Sequence, residues 1–204
     1  MKSFEFNERE EFFMRKILRF DDQLSGDVAS SLLSFFESVP FQYGWQSGKD
    51  AAFNHWNRGF ADVHPDNQED IEHLLRTSTE HIQPVMAAWK SLKAGLLYGH
   101  TLVRCYANAH TYGVEGYPHF DSRTRDNFTT IVYVNRNWAA EWAGETVFLN
   151  DSGDIIYSIL PKPARIVTFP GDLLHCARAV SRSCPTARMT LIFKTKSGAK
   201  NGTE

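Results

Sequence analysis

The stretch from Tyr112 to Asp121, Tyr-Gly-Val-Glu-Gly-Tyr-Pro-His-Phe-Asp, closes on an imidazole and a carboxylate two residues apart, His119 and Asp121. In an extended strand residues i and i+2 share a face, with Cα atoms roughly 6–7 Å apart, so both side chains can converge on one metal ion. A third ligand must come from elsewhere, and His175, at the end of Phe169-Pro-Gly-Asp-Leu-Leu-His175, is the candidate. Two imidazoles and one carboxylate leave the remaining coordination positions open to reactants, a donor set suited to iron(II). His119, Asp121 and His175 are therefore the candidate metal-binding and catalytic residues. A second His-x-Asp, His64-Pro65-Asp66, reads differently. Asp66 is followed by Glu69 and then by Ile71, Leu74 and Leu75 at helical spacing, the pattern of a helix N-cap with a capping box.

The elements that must hold these residues follow from length and periodicity. A chain of 204 residues with 42% apolar content can bury a full core, and no linker or repeat divides it, so one domain is expected over 1–204. A net charge of −2 gives no electrostatic case for nucleic acid or an anionic membrane as partner. No apolar run approaches a membrane span, and the acidic start of the chain is no signal peptide. Three cysteines, Cys105, Cys176 and Cys184, form no CxxC and cannot all pair, which favours a reducing, cytoplasmic location.

Residues 14–20 read as an edge strand, and Ser25 or Asp27 caps a helix with the apolar face Val28, Leu32, Phe35, Phe36 and Val39, ended by Pro40. The aromatic stretch 41–60 reads as strands and turns, with Trp45, His55 and Trp56 as half-buried packing residues or, alternatively, the wall of a pocket. Helices are expected over about 66–78 and 83–93, the second with Pro84 in its first turn. From Gly95 onward short alternating segments at 102–107, 129–134, 146–149, 155–159, 164–169 and 188–193 are separated by Gly, Pro, Asn and Asp turns with no helical period between them. That grammar specifies an antiparallel sandwich or barrel. The expected fold is thus α+β but mainly β. Its N-terminal helical and strand region covers about 1–95, a β core about 96–196, and a polar tail 197–204.

A metal site that uses a 2-oxoacid cosubstrate also needs a cation for the cosubstrate's far carboxylate, and arginine pairs with carboxylate bidentately. Arg188 opens the last strand, thirteen residues after His175. Together these features carry a family resemblance. Residues 102–194 resemble the prolyl 4-hydroxylase branch of the Fe(II)/2-oxoglutarate-dependent oxygenases. The matching pieces are Arg104-Cys-Tyr106, His119-Phe-Asp121, Thr129-Thr-Ile-Val-Tyr-Val-Asn135 and Trp142-Ala-Gly-Glu-Thr146. Pro161-Lys-Pro163, Phe169-Pro-Gly171, His175 and Arg188-Met-Thr-Leu-Ile-Phe193 complete the set in family order.

The resemblance implies a double-stranded β-helix, a jelly-roll or cupin-like core, with the N-terminal helices packed on one sheet. It implies Fe(II) on His119, Asp121 and His175, with 2-oxoglutarate and O2 as further cofactors and ascorbate as a candidate reductant. Arg188 would pair with the distal carboxylate of 2-oxoglutarate, Tyr106 and Tyr133 would offer it hydroxyls, and Thr190, on the face of Arg188, is a further contact. Asn108, His110, Tyr112 and Tyr117, on a loop expected between Tyr106 and Tyr117, are candidates for substrate recognition, as are Trp138, Trp142 and Arg182. The implied activity is hydroxylation of a C–H bond with release of succinate and CO2, and retention of Asp121 argues for hydroxylation over halogenation. A prolyl residue in a peptide or protein is the family default for substrate, with a free amino acid or other small metabolite as the alternative. A non-catalytic cupin-like protein, or one holding zinc on the same triad, is the reading from another class.

Overall fold

The structure, a computed structural model, describes residues 16–46, 54–62, 70–78 and 81–198. In chain order the elements are β1 (Leu18–Phe20), α1 (Gly26–Phe36), β2 (Gln42–Gln46), β3 (Asn54–Asp62), α2 (Ile71–Thr77), α3 (Gln83–Ala94), β4 (His100–His110) and β5 (Asn127–Tyr133). A single 3₁₀ turn, Ala140–Trp142, precedes β6 (Thr146–Leu149), β7 (Ile155–Ile159), β8 (Ile166–Pro170), β9 (His175–Ala177) and β10 (Arg188–Ser197). Seven strands form one sheet in the order β1-β8-β5-β10-β4-β3-β2, and three form a second in the order β7-β6-β9. All the pairings are antiparallel. An antiparallel bridge between His119 and His175 extends the small sheet by one more segment. This is the mainly β, two-sheet architecture that the turn-separated short strands require.

Two apolar cores lie on opposite faces of the large sheet. Behind it α1 buries Leu32, Leu33 and Phe36, and α3 buries Val85, Ala88, Trp89 and Leu92. They meet Cys105, Ala107, Val132, Leu191 and Phe193 of the central strands, with the Trp89 ring 5.5 Å from that of Phe193. Between the two sheets Ile131, Tyr133, Phe148, Phe169 and Ile192 form the second core. Alternation along β4, β5 and β10 assigns one set of side chains to each.

Several boundaries differ from expectation. The first helix stops at Phe36 rather than Val39, and its N-cap Ser25 makes no side-chain cap bond. The helix expected from Asp66 begins at Ile71, capped by Asp70, which accepts from the backbone N–H groups of Glu72 and His73 at 3.0 and 3.3 Å. His64 and Asp66 lie outside the described residues, as does most of the polar tail. The largest difference is β4, which runs to His110, so Asn108 and His110 stand on a strand, not on a loop. Their partners on β10 supply the ladder bonds that keep the chain extended there.

The edge of the large sheet is fastened by an ion pair. Arg165, 5% exposed, donates from Nε and Nη2 to the two carboxylate oxygens of Asp21 at 2.6 and 2.9 Å, and from Nη1 to the Leu160 carbonyl at 2.8 Å. The bond from Arg165 holds the Asp21 carboxyl below its ordinary value against the opposing effect of burial. A depressed folded-state value stabilises above the unfolded-state pKa, about pH 4, and the contribution fades as pH falls through the folded-state value. Asp21→Asn is expected to cost on the order of 1 kcal/mol at pH 7, discounted for the half-exposed carboxylate, or a Tm loss of about 2–4 °C. Thermal melts should show the gap between wild type and variant closing in strong acid; an equal gap at pH 7 and in strong acid would contradict this assignment.

Candidate active site

Residues directly opposite in an antiparallel pair share a face. The register of β10 places Arg188, Thr190, Ile192 and Lys194 opposite His110, Asn108, Tyr106 and Arg104 of β4. On its other side Thr190, Ile192 and Lys194 stand opposite Tyr133, Ile131 and Thr129 of β5. All of these except Tyr133 line one cavity of about 440 Å³ between the sheets.

The roof of that cavity carries the triad. The backbones of His119 and His175 exchange hydrogen bonds at 3.0 and 3.1 Å, which puts the two imidazoles side by side with ring centroids 4.7 Å apart. The next turn fixes Asp121: the Gly171 carbonyl accepts from the Asp121 and Ser122 N–H groups at 2.9 and 3.0 Å. A Cβ on Gly171 would stand 3.0 Å from the Ser122 Cβ and 3.2 Å from its backbone nitrogen, so this close approach favours glycine. One ligand atom from each of His119, Asp121 and His175 lies within 4.8 Å of the others, the one such group of three among the described residues.

The hydrogen-bond pattern fits a metal. Nδ1 of His119 donates to the Tyr117 carbonyl at 2.6 Å, and Nδ1 of His175 to the Leu173 carbonyl at 2.8 Å. With Nδ1 engaged, each ring turns its Nε2 toward the carboxylate, 3.3 Å from Oδ1 and Oδ2 of Asp121 respectively. Burial pushes the Asp121 carboxyl upward, but the Lys194 ammonium and the flanking imidazoles outweigh it and hold it well below the carboxylate range. Thr129 donates to Asp121 Oδ2 at 2.5 Å and accepts from Lys194 Nζ at 3.0 Å, and Lys194 also pairs with the same Oδ2. Two imidazole nitrogens and an ionised carboxylate facing one cavity are the donor chemistry that iron(II) takes.

The opposite end is cationic. Arg188 is 2% exposed, donates from Nε to the Gly144 carbonyl at 2.6 Å and from Nη2 to Thr146 Oγ1 at 2.8 Å, and lies 5.3 Å from the centroid of the Tyr133 ring. Gly144 has φ +78°, and a Cβ there would meet the Trp138 ring at 3.1 Å and the Arg188 side chain at 3.2 Å, so glycine sets the seat of this arginine. Two of the five guanidinium donors are engaged by these bonds. Tyr133 is a further hydrogen-bond partner, and the donor capacity left over is available to a carboxylate in the cavity. Beside Arg188, burial holds the His110 imidazole well below its ordinary value, with Arg188 and His55 adding to the effect, so it is neutral.

The structure gathers some sequence-predicted residues and not others. His119, Asp121, His175, Arg188, Tyr106, Thr190, Asn108 and His110 all face the cavity. Tyr133 lies at its back, fully buried, its hydroxyl 2.6 Å from Thr146 Oγ1 and 3.4 Å from the Ile159 carbonyl. Tyr112 and Tyr117 are exposed, and Arg182 lies on the surface. Trp138 and Trp142 pack edge to face, with the Trp138 indole donating to the Ala143 carbonyl at 2.9 Å, and neither lines the cavity. Trp45, for which the sequence leaves packing and pocket wall both open, does line it. Sequence reasoning missed Thr129 and Lys194 as partners of Asp121; counting two and then two more beyond Arg188 and Thr190 would have put Lys194 on their face, had the strand been drawn to its full length.

Residues 104–193 match the 2OG-Fe(II) oxygenase superfamily. No curated protein sequence matches. Among solved structures, a prolyl-4-hydroxylase from Pseudomonas putida superposes with a TM-score of 0.55 at 16% identity over 90% of this chain and 93% of that one. A prolyl hydroxylase from Trichoplax adhaerens, solved with a hypoxia inducible factor oxygen degradation domain peptide fragment, gives 0.56 at 13% over 93% and 89%. The non-heme alpha ketoglutarate dependent epimerase SnoN from nogalamycin biosynthesis gives 0.57 at 14% over 93% and 82%. The double-stranded β-helix, the His-Asp-His cluster and the match over residues 104–193 converge: this segment is similar to the 2OG-Fe(II) oxygenase superfamily, and the chain shares the fold of the solved prolyl hydroxylases.

Proposed function

We propose that this oxygenase hydroxylates an aliphatic C–H bond in a reaction coupled to conversion of 2-oxoglutarate to succinate and CO2. The observation that carries the reading is one cavity with a facial donor triad in its roof and a buried arginine at its end. Bound iron(II) with 2-oxoglutarate and O2 supplies the oxidative decarboxylation and the oxidising equivalent for the substrate. His119, Asp121 and His175 hold the metal from one side. Arg188 receives the far carboxylate of 2-oxoglutarate, and its desolvation strengthens that pairing. Tyr133 acts through Thr146, whose hydroxyl touches both the phenol and Arg188, and so positions the guanidinium. Tyr106 and Thr190 line the interval and offer hydroxyls to the cosubstrate.

A prolyl residue is the reading suggested by the two prolyl hydroxylases among the structural neighbours. A second reading, a small carboxylic acid, is favoured by the basic residues at the cavity mouth considered below. The three free thiols Cys105, Cys176 and Cys184 suit a reducing compartment, and ascorbate is the reductant we propose there. No helix among the described residues is long and apolar enough to cross a membrane.

Purified protein given Fe(II), 2-oxoglutarate and air should release succinate above the iron-only background. His175→Ala should bring release to that background and lower the bound iron per chain; full activity in that variant would remove His175 from the metal. Arg188→Ala should raise the KM for 2-oxoglutarate by about 100-fold, or about 2.7 kcal/mol, because a desolvated charge pair is lost. Arg188→Lys should recover part of it, since an ammonium keeps the charge but not the fork. An unchanged KM in Arg188→Ala would place the cosubstrate carboxylate elsewhere.

A further inference from the structure

The mouth of the cavity holds a row of charged side chains that the metal and cosubstrate residues use only in part. Across the large sheet one row reads Asp62 on β3, Arg104 on β4, Lys194 on β10 and Thr129 on β5, each directly opposite the next. Arg104 and Lys194 are therefore like charges side by side on one face, an arrangement that costs stability in a sheet. All four line the cavity.

Neither cation is loosely placed. The Arg104 guanidinium carbon lies 4.8 Å from the Trp45 ring centroid and 4.5 Å from that of Tyr106, so both rings hold the group at the wall. Asp62 stands 2.8 Å from Arg104 Nε, but its direction makes no hydrogen bond, and this buried N–H has no acceptor among the described residues. Asp62 is itself half-exposed, which screens its charge. Lys194, with 18% of its side chain exposed, has its contacts on Asp121, Thr129 and the Tyr106 hydroxyl. Iron(II) on Asp121 would share that carboxylate and leave the ammonium with a diminished counter-charge. Arg188, six residues back along β10, is about 20 Å away along the strand and belongs to the other end of the cavity.

We propose that the substrate of this oxygenase carries a carboxylate, and that Arg104 and Lys194 bind it together. The acid bridges the two cations, satisfies the Arg104 N–H and relieves their repulsion. Because Lys194 touches Asp121, a substrate docked on it lies next to the triad. Trp45 and Tyr106, both against the Arg104 guanidinium, are the apolar surface against which its carbon skeleton packs. This inference rests on the oxygenase reading and narrows its substrate class to acids, either free amino or hydroxy acids or the C-terminal residue of a peptide.

The test is anaerobic binding to protein loaded with Fe(II) and 2-oxoglutarate, with loading checked by the visible charge-transfer band and affinity read by calorimetry and thermal shift. Free amino acids are compared with their amides, and proline-containing peptides with free C-termini are compared with amidated ones. Acids are expected to bind at least about tenfold more tightly than their amides. The free and peptide arms identify the source of the carboxylate. Arg104→Gln should collapse that preference, and Lys194→Met provides a second variant should the first fail to fold. Equal binding of acids and amides in wild type, or a preference that survives in both variants, overturns the proposal. A band that never forms in wild type overturns the oxygenase reading itself, and this inference with it.

Discussion

The alternation of β10 is the constraint on which the rest depends. This strand lies fourth of seven in the large sheet, and its side chains divide strictly between two environments. Leu191 and Phe193 enter the core behind the sheet, against α3, while Arg188, Thr190, Ile192 and Lys194 face the cavity. A slip of one residue would drive two cations into the helix core and turn Leu191 and Phe193 into the active site. The apolar faces of α1 and α3 therefore specify register as well as stability, and the register specifies the site. Burial of Phe193 against Trp89 and placement of Lys194 beside Asp121 are two results of one pairing.

Charge is managed within that frame. A buried carboxylate and a buried guanidinium are each costly to desolvate, and each persists because named partners offset the cost. Asp121 has Thr129 and Lys194 on one oxygen and imidazoles on both sides. Arg188 has a backbone carbonyl, a hydroxyl and an aromatic face. Both retain unsatisfied capacity on the cavity side, which is what distinguishes a binding site from a sealed structural ion pair such as Arg165 with Asp21.

Much of this was legible in the sequence, for physical reasons. His119 and Asp121 were found because side-chain direction repeats every two residues in extended chain, and the sandwich because short β-branched runs alternated between turn residues. The terminus of β4 was not legible. Asn108-Ala-His110 has no strong strand propensity and is held extended by its partners on β10, a tertiary effect. The placement of Tyr133 was also hidden, since a tyrosine on a cavity-facing row can be capped by a neighbouring threonine, here Thr146. Trp138 and Trp142 are candidates for substrate recognition because aromatic residues in a polar loop resemble a binding surface; in the structure they pack on each other and beside the Gly144 turn. The pairing of Arg104 with Lys194 depends on strand register between segments ninety residues apart, which no local pattern records.

The central claim is that His119, Asp121 and His175 at one end, and Arg188 at the other, form a single iron and 2-oxoglutarate site. Its most direct test is an anaerobic titration of the metal-free protein with Fe(II) in the presence of 2-oxoglutarate, followed by visible absorption. The account predicts one iron per chain and a weak charge-transfer band that appears only when both components are present. Absence of the band at full iron occupancy, or an identical band from protein lacking the His175 imidazole, would contradict it.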